Sequence, residues 1–349
     1  MIAKQVFKRV WNYKKVQAEE NAKPPSFLTD TSLGQHFYIK LKGVKLHYVE
    51  TGIKTKPLVI LLHGFPDCWI TWRYQIPELA KHFRVVAVDL KGFGDSDKPE
   101  SQRNYKVDKL IEELREFVHA LGSQRCIVIG HDIGALFGWL LAHFHPELVD
   151  KLIVLASPHP NLYWSTLPKS AIFNTRWIQF CQLPYLPELQ ALDDNLSVIA
   201  LCYFHLVKNN GKHGYLDAYK YVFSRREDWT GPINYFRNLP FWKLKTSEQG
   251  SMVPTLLIIG NKDCSVNMES VIRSTEYAEK SLLKVVEGAS HYLHQEKPNV
   301  VNKLLLSFLK PKPQQEPLQN TNGLVNKVLG VATNNALWKQ YSGYFVQNS

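Results

Sequence analysis

The sequence predicts an α/β protein: a mostly parallel, doubly wound, eight-stranded sheet with helices on both faces and a helical block inserted after the sixth strand. Three observations carry that expectation. Short apolar runs rich in β-branched residues alternate with longer helical patterns. The alternation stops for about 85 residues of aromatic, helix-patterned chain and then resumes. The chain is also long enough, at 349 residues with 45% apolar content, to bury one large core plus an insertion.

The elements follow in order. Phe37–Leu41 and Val44–Val49 read as two strands around Gly43. Leu58–Leu62, Leu-Val-Ile-Leu-Leu, is a continuous apolar run of the kind that suits a parallel strand covered on both faces. A helix over about residues 71–82, a strand at Arg84–Val88 and a helix over about 107–121 come next. A strand over 125–129, a helix over 134–144 and a strand at Lys151–Leu155 complete the first run of βα units. From Pro158-His159-Pro160 to about residue 245 no strong strand is read. The rhythm resumes with a strand at Thr255–Ile259, a helix over about 268–279, a strand at Leu282–Val286 and a helix over about 298–309. The organisation expected is an N-terminal arm (1–33), a core (34–158 and 246–310), a helical lid (159–245) and a tail (311–349). A block inserted after the sixth strand lies over the carboxyl ends of the strands, where doubly wound sheets place their sites.

Bulk properties limit the function classes. The 42 Lys and Arg against 31 Asp and Glu give a formal charge of +11. The basic residues are scattered, and no zinc finger, helix-turn-helix or RNA-recognition pattern accompanies them, so no nucleic-acid partner is expected. Cys68, Cys126, Cys181, Cys202 and Cys264 are odd in number and widely spaced, without a C-x-x-C. They read as free thiols in a reducing compartment, with neither a disulfide framework nor a metal site. No apolar run reaches 18 residues, and Lys4, Lys8, Arg9, Lys14 and Lys15 interrupt the N-terminus, so neither a transmembrane helix nor a signal peptide is expected. Ile2, Val6 and Val10, with Phe7 and Trp11, line one face of a basic amphipathic helix. That arm suits peripheral membrane contact, and equally a frayed arm or a helix packed on the body. In the tail, Leu324–Trp338 is a candidate amphipathic segment, with a loosely docked peptide as the alternative.

The chemistry begins at Gly130-His131-Asp132-Ile133-Gly134, between the apolar strand Cys126–Ile129 and the helix that starts at Ala135. Small residues flanking a reactive side chain at a strand-to-helix turn match the nucleophile-elbow pattern G-x-S-x-G, with Asp in place of Ser. A carboxylate there attacks carbon and forms an ester with the protein. The alternative is a solvated Asp in a βα loop. Three more segments sit at strand ends. His63-Gly64-Phe65-Pro66 can aim the Phe65 N–H at the site, where with the Ile133 N–H it forms an oxyanion hole. Gly260-Asn261-Lys262-Asp263 offers Asp263 as orienting acid, and Gly288-Ala289-Ser290-His291 offers His291 as base. His294 is the competing base. The chain order nucleophile, acid, base is that of Ser-centred hydrolases with the same elbow.

Taken together, HGFPDCWITWRYQ (63–75), VAVDLKGFGDSDKP (86–99), GHDIGA (130–135), SPHPN (157–161), QLPYLPE (182–188), GPINYFRN (231–238) and GASHYLHQEKP (288–298) resemble the epoxide hydrolase branch of the α/β-hydrolase superfamily. Within that branch they are most similar to the animal epoxide hydrolase 3 and 4 group. The resemblance covers residues 34–310. It implies an α/β-hydrolase fold, no cofactor, a small apolar or lipid-like substrate, and a two-step reaction. Asp132 attacks an epoxide carbon, two lid tyrosines donate to the epoxide oxygen, and His291, oriented by Asp263, activates water to hydrolyse the ester. Relatives in the group carry membrane anchors at the endoplasmic reticulum. No such anchor is read here, so the expected location is cytoplasmic or peripheral on that membrane.

The sequence departs from the family at the donors. The positions of the two lid tyrosines hold Trp177 and Phe236, and the Trp that usually follows the nucleophile is Ile133. An indole N–H can hydrogen-bond but is not a general acid, and phenylalanine has no proton to give. Losing general-acid assistance is expected to slow ring opening by about 10²- to 10⁴-fold. Tyr235 or an unidentified group is the candidate replacement donor; one helical residue turns Tyr235 by about 100° from the required face, so it serves only if the lid helix turns or shifts register. Tyr163 and Tyr185 are weaker donor candidates, with core or lid packing as the favoured reading. Two alternatives stay open: an Asp-nucleophile hydrolase of another substrate such as a haloalkane, or a non-catalytic homologue that binds a ligand or partner.

Overall fold

A computed structural model describes residues 23–204, 213–244 and 251–310. The basic N-terminal face and the tail segment Leu324–Trp338 lie outside the described residues. Eight strands form one sheet: β1 (Gln35–Leu41), β2 (Val44–Gly52), β3 (Leu58–Leu62), β4 (Arg84–Val88), β5 (Cys126–His131), β6 (Val149–Leu155), β7 (Thr255–Gly260) and β8 (Ser281–Val286). The spatial order is β1-β2-β4-β3-β5-β6-β7-β8. Pairing is parallel from β4 through to β8, and antiparallel where β2 meets β1 and β4. The sequence-predicted strands all appear, Leu58–Leu62 and Arg84–Val88 with the expected bounds and the others with one or both ends shifted by one to three residues.

Burial follows position in the sheet. β3, β5 and β7 are buried at every residue, as expected of strands covered on both faces. The edge strand β8 exposes much of its length, reading only Val286 as buried. The β1–β2 hairpin closes between Leu41 and Val44, with Gly43 at φ 103°, a conformation that favours glycine.

The helices are α1 (Ser26–Thr29), α2 (Ile76–Ala80), α3 (Val107–Ala120), α4 (Ile133–Phe144), α5 (Pro160–Tyr163), α6 (Thr175–Cys181), α7 (Leu186–Ala191), α8 (Asp193–Cys202), α9 (His213–Val222), α10 (Glu227–Phe236), α11 (Met268–Arg273), α12 (Leu293–Glu296) and α13 (Pro298–Leu309). In α3, Val107, Leu110, Ile111, Leu114, Phe117 and Val118 are buried, the i, i+3, i+4, i+7 stripe of a helix lying on a sheet. α4 is buried along Ile133–Ala142 and contacts both β5 and β6, so it is apolar on all sides. The helix expected over 71–82 is a 3₁₀ turn at Trp69–Trp72 followed by the shorter α2. The helix expected over 268–279 ends as α11 and continues as a 3₁₀ turn, Ser274–Tyr277.

Between β6 and β7 the described residues contribute helices and no strand. α10 docks on the loop after β4 at a backbone-to-backbone contact. A Cβ on Gly231 would lie 2.6 Å from Gly92 Cα, and one on Gly92 would lie 2.9 Å from Gly231 Cα. Only glycine at both positions allows that approach. No helix among the described residues is long and apolar enough to cross a membrane.

Candidate active site

Parallel strands bring their carboxyl ends to one edge, and the sequence-predicted polar residues meet there. Asp132 follows β5 and caps α4 with φ 51° and ψ −121°, a left-handed strain that an L-residue tolerates only when its surroundings hold it. The neighbouring glycines explain how. A Cβ on Gly130 would come within 2.5 Å of Ala135 Cα, and one on Gly134 within 2.3 Å of the Leu62 carbonyl oxygen. A Cβ on Gly64 would meet the Asp132 Cβ at 2.8 Å and His131 Nδ1 at 2.9 Å. The small residues are there because the backbone of the turn is pressed against the ends of β3 and α4.

Both carboxylate oxygens of Asp132 are engaged. The Phe65 N–H donates to Oδ2 at 3.1 Å, and the Tyr163 hydroxyl donates to Oδ1 at 2.5 Å. Ile133 occupies the first position of α4, where the backbone N–H has no intrahelical acceptor. His291 follows β8 and turns Nε2 toward Asp132 Oδ1 at 3.9 Å. Its Nδ1 lies 3.0 Å from Asp263 Oδ2. Because a carboxylate only accepts, Nδ1 carries the hydrogen of that bond. Asp263 follows β7; its fully buried carboxylate is held by the Ser265 and Val266 N–H groups at Oδ1, which leaves Oδ2 for the imidazole. The His291 backbone is fixed in turn: its carbonyl accepts from His131 Nε2 at 3.0 Å, and the preceding Ser290 N–H donates to Glu296 at 2.8 Å.

This arrangement sets the charge on His291. Burial works against the cation, but the Asp263 charge and hydrogen bond, and then the Asp132 charge, outweigh it and push the imidazole up to about 9. Burial and the adjacent Asp132 charge raise the Tyr163 phenol well above its ordinary value, so it stays protonated.

Above the carboxylates the lining is aromatic. The Phe65 ring packs at 4.7 Å from Phe173 and 4.8 Å from Phe236, with Trp177 at 6.5 Å. Trp177 and Phe236 therefore sit over the Phe65 turn, and the Trp177 indole nitrogen is buried without a hydrogen-bond partner among the described residues. Tyr235, the candidate replacement donor, is turned away. Its hydroxyl donates to the Lys91 carbonyl at 2.8 Å and its ring packs on Phe93, Tyr105 and Phe137. The 100° step along α10 separates it from Phe236, and the phenol completes the contact of α10 with the loop after β4. That placement corrects the expectation. Tyr185 is 63% exposed and also faces elsewhere. Of the two weaker candidates, Tyr163 is the one placed at the site: it packs against Trp164, and its hydroxyl reaches Asp132. Its location one short helix beyond the end of β6, the strand beside β5, is the signal in the sequence that marks it. His294, the competing base, faces Thr71 Oγ1 at 2.7 Å and packs on Trp72.

A second polar group adjoins the site. Asp67, His131 and His294 each offer one ligand atom within 4.8 Å of the others, and Asp67 Oδ2, His131 Nδ1 and His294 Nδ1 are buried without a hydrogen-bond partner. A carboxylate and two imidazoles form a donor set that zinc accepts. Burial raises Asp67 to about 7 and holds both histidines well below their ordinary value, so the group is close to neutral. Its members come from the turn after β3, the end of β5 and the short helix α12, so no local spacing announces them.

The match with known proteins agrees with this geometry. The family model for the alpha/beta hydrolase fold matches residues 57–298. Human epoxide hydrolase 4 is 37% identical over 304 residues, covering 84% of each chain. Epoxide hydrolase 3 of Xenopus tropicalis is 35% identical over 305 residues, covering 82% of this chain and 81% of that one. This chain belongs to the epoxide hydrolase branch of the α/β-hydrolase family. Among solved structures, epoxide hydrolase A from Mycobacterium thermoresistibile superposes with a TM-score of 0.69 at 26% identity, over 79% of this chain and 98% of that one. An epoxide hydrolase from Bacillus megaterium in complex with an inhibitor gives 0.67 at 29% identity, over 78% of this chain and 99% of that one. The chain is thus a hydrolase of epoxide hydrolase type, with the fold that its sequence predicts.

Proposed function

We propose that this enzyme opens epoxides to diols through an ester on Asp132, hydrolysed by a water that His291 activates. The observation that carries the reading is the line of contacts Asp263 Oδ2–His291 Nδ1 (3.0 Å) and His291 Nε2–Asp132 Oδ1 (3.9 Å), with the Phe65 N–H on the other Asp132 oxygen (3.1 Å). Oδ2 is held by a backbone donor, so the attacking oxygen in this reading is Oδ1, which faces His291 and gives up its bond from the Tyr163 hydroxyl when it reacts. It bonds to an epoxide carbon, the carbon–oxygen bond of the ring breaks, and the alkoxide takes a proton.

The second half uses the histidine. Alkylation removes the Asp132 charge, one of the causes that raise His291, and the imidazole becomes the base. It takes a proton from water, and the hydroxide attacks the ester carbon. The resulting charge falls on Oδ2, beside the Phe65 and Ile133 N–H groups. The bond to Oδ1 breaks, that oxygen takes the proton of the added hydroxide, and the diol leaves with it as Asp132 returns to the carboxylate. The protons close: the imidazolium proton of the free enzyme replaces the one given to the alkoxide, and the water returns it. The aromatic lining of Phe65, Phe173, Trp177 and Phe236 favours an apolar or lipid-like epoxide. Peripheral membrane contact through the N-terminal arm is part of the same proposal, argued from its sequence alone.

The test is a single turnover of a long-chain fatty-acid epoxide in ¹⁸O-water. The expected diol carries no label, and the label appears in the peptide containing Asp132. A labelled diol in the first turnover would mean direct attack by water and would remove Asp132 from the role of nucleophile.

A further inference from the structure

We infer that Tyr163 is the hydroxyl that protonates the epoxide oxygen, in place of the two lid tyrosines that this chain lacks. The inference rests on the epoxide reading above and names a residue that reading leaves open.

Of the phenols around the site, Tyr163 is the one bonded to the nucleophile position. Its hydroxyl donates to Asp132 Oδ1 at 2.5 Å, and the side chain is buried. Other phenols nearby are committed elsewhere: Tyr292, beside His291, hydrogen-bonds the Cys202 sulfur. Tyr235 donates to the Lys91 carbonyl, Tyr203 to the Pro66 carbonyl at 2.8 Å, and Tyr219 to Gln295 at 3.2 Å. Backbone carbonyls buried in a packed core keep such partners, because losing one leaves an acceptor unsatisfied. Trp177 and Phe236, which flank Phe65, hold no hydroxyl.

The contact with Oδ1 defines what the phenol does. Because Phe65 holds Oδ2, the phenol covers the oxygen that attacks. A reacting epoxide carbon comes to about 3–3.5 Å from that oxygen, and the epoxide oxygen is bonded to that carbon. An epoxide entering the site therefore presents a new acceptor beside the old one, and the phenol exchanges Asp132 Oδ1 for it by turning its O–H about the Cζ–Oη bond. Two effects follow from one motion. The attacking oxygen loses a hydrogen bond that damps its nucleophilicity, and the leaving oxygen gains a donor. When the ring opens, the phenolic O–H bond breaks as the alkoxide takes its proton, and the phenolate is reprotonated by the His291 imidazolium. No co-reactant is needed. Attachment at the end of α5, a helix of four residues directly after β6, ties the ring to the sheet rather than to α6 or α10.

The test measures ester formation and diol release separately, by rapid quench and mass spectrometry, with the full chain and styrene oxide as probe. Tyr163→Phe removes one oxygen, and its melting curve checks the fold. The expected result is alkylation of Asp132 slowed about 10²- to 10⁴-fold, with hydrolysis of the ester once formed changed far less. Placing hydroxyls at the positions that face Phe65, in Tyr163→Phe/Trp177→Tyr/Phe236→Tyr, is expected to restore alkylation, which a merely structural loss would not allow. Alkylation in Tyr163→Phe within about threefold of wild type, or faster, overturns the assignment and leaves Tyr163 as a cap. A loss that the triple variant does not repair also overturns it, because the missing group is then not a hydroxyl at the epoxide oxygen. If the wild-type protein forms neither ester nor diol, the epoxide reading itself fails, an outcome distinct from both.

Discussion

The carboxyl edge of the sheet and the helical block above it use polar side chains in opposite ways. At the edge, Asp132, Asp263 and His291 hydrogen-bond or face one another across three strand ends, and the backbone supplies donors to the two carboxylates. In the block, Tyr203 and Tyr235 give their hydroxyls to backbone carbonyls of the core, and their rings fill space. The same residue type bonds a carboxylate or packs against the core according to which of these regions it faces. Tyr163 stands where the two meet: it follows β6 directly, and its hydroxyl joins the edge rather than the packing.

Breaking the edge is expected to have the largest effect. Asp132→Asn should lower diol formation by about 10⁴- to 10⁶-fold, since a nucleophile acts as a unit with its partners, and product chromatography checks it. His291→Gln should come next. Steady-state turnover is expected to fall by about 10²- to 10⁴-fold while the ester still forms, so the protein gains the mass of one substrate and keeps it. Equal loss of both steps would show that His291 acts before the ester exists.

The electrostatics of the edge give a smaller effect with a definite sign. A folded His291 value near 9 lies above the ordinary 6.5. Its protonation therefore contributes stability that is fully present below about pH 6.5 and lost as pH rises through about 9. The contribution is at most about 3 kcal/mol. Because Asp263 is the main upward influence, Asp263→Asn should lower the midpoint by about 1–3 units, read from the imidazole resonances in an NMR titration, and should move the stability loss to lower pH. An unmoved midpoint would assign the shift to Asp132.

The smallest effect belongs to the block. Tyr235→Phe removes the bond to the Lys91 carbonyl and should cost about 1–2 kcal/mol in denaturant unfolding, with activity per folded molecule unchanged. A large drop in activity without a stability change would place Tyr235 in the reaction and erase the contrast between the two regions.

How much of this is legible in the sequence depends on how local the cause is. Leu58–Leu62 announces a strand covered on both faces because its composition alone requires that burial. The turn at Asp132 is legible because its small residues stand within five positions, although what confines Gly134 is the end of β3. Asp263 and His291 are legible because each follows a strand end, and parallel strands bring those ends together whatever the rest of the chain does. The distinction between Tyr235 and Phe236 is half legible: helical geometry separates their faces by about 100°, but not which face meets the site. The group of Asp67, His131 and His294 is not legible, since its three atoms converge from separate elements that no sequence spacing relates.

By itself, then, the sequence determined the sheet, the strand-end positions of Asp132, Asp263 and His291, the family, and the absence of a hydroxyl at Trp177 and Phe236. These follow from local periodicity, turn sterics and residue chemistry. The tertiary structure alone decided that Tyr163 and not Tyr235 reaches Asp132. A side chain's partner depends on what packs against its helix, and α5 is tied to the end of β6 while α10 is pressed through Gly231 onto the loop after β4.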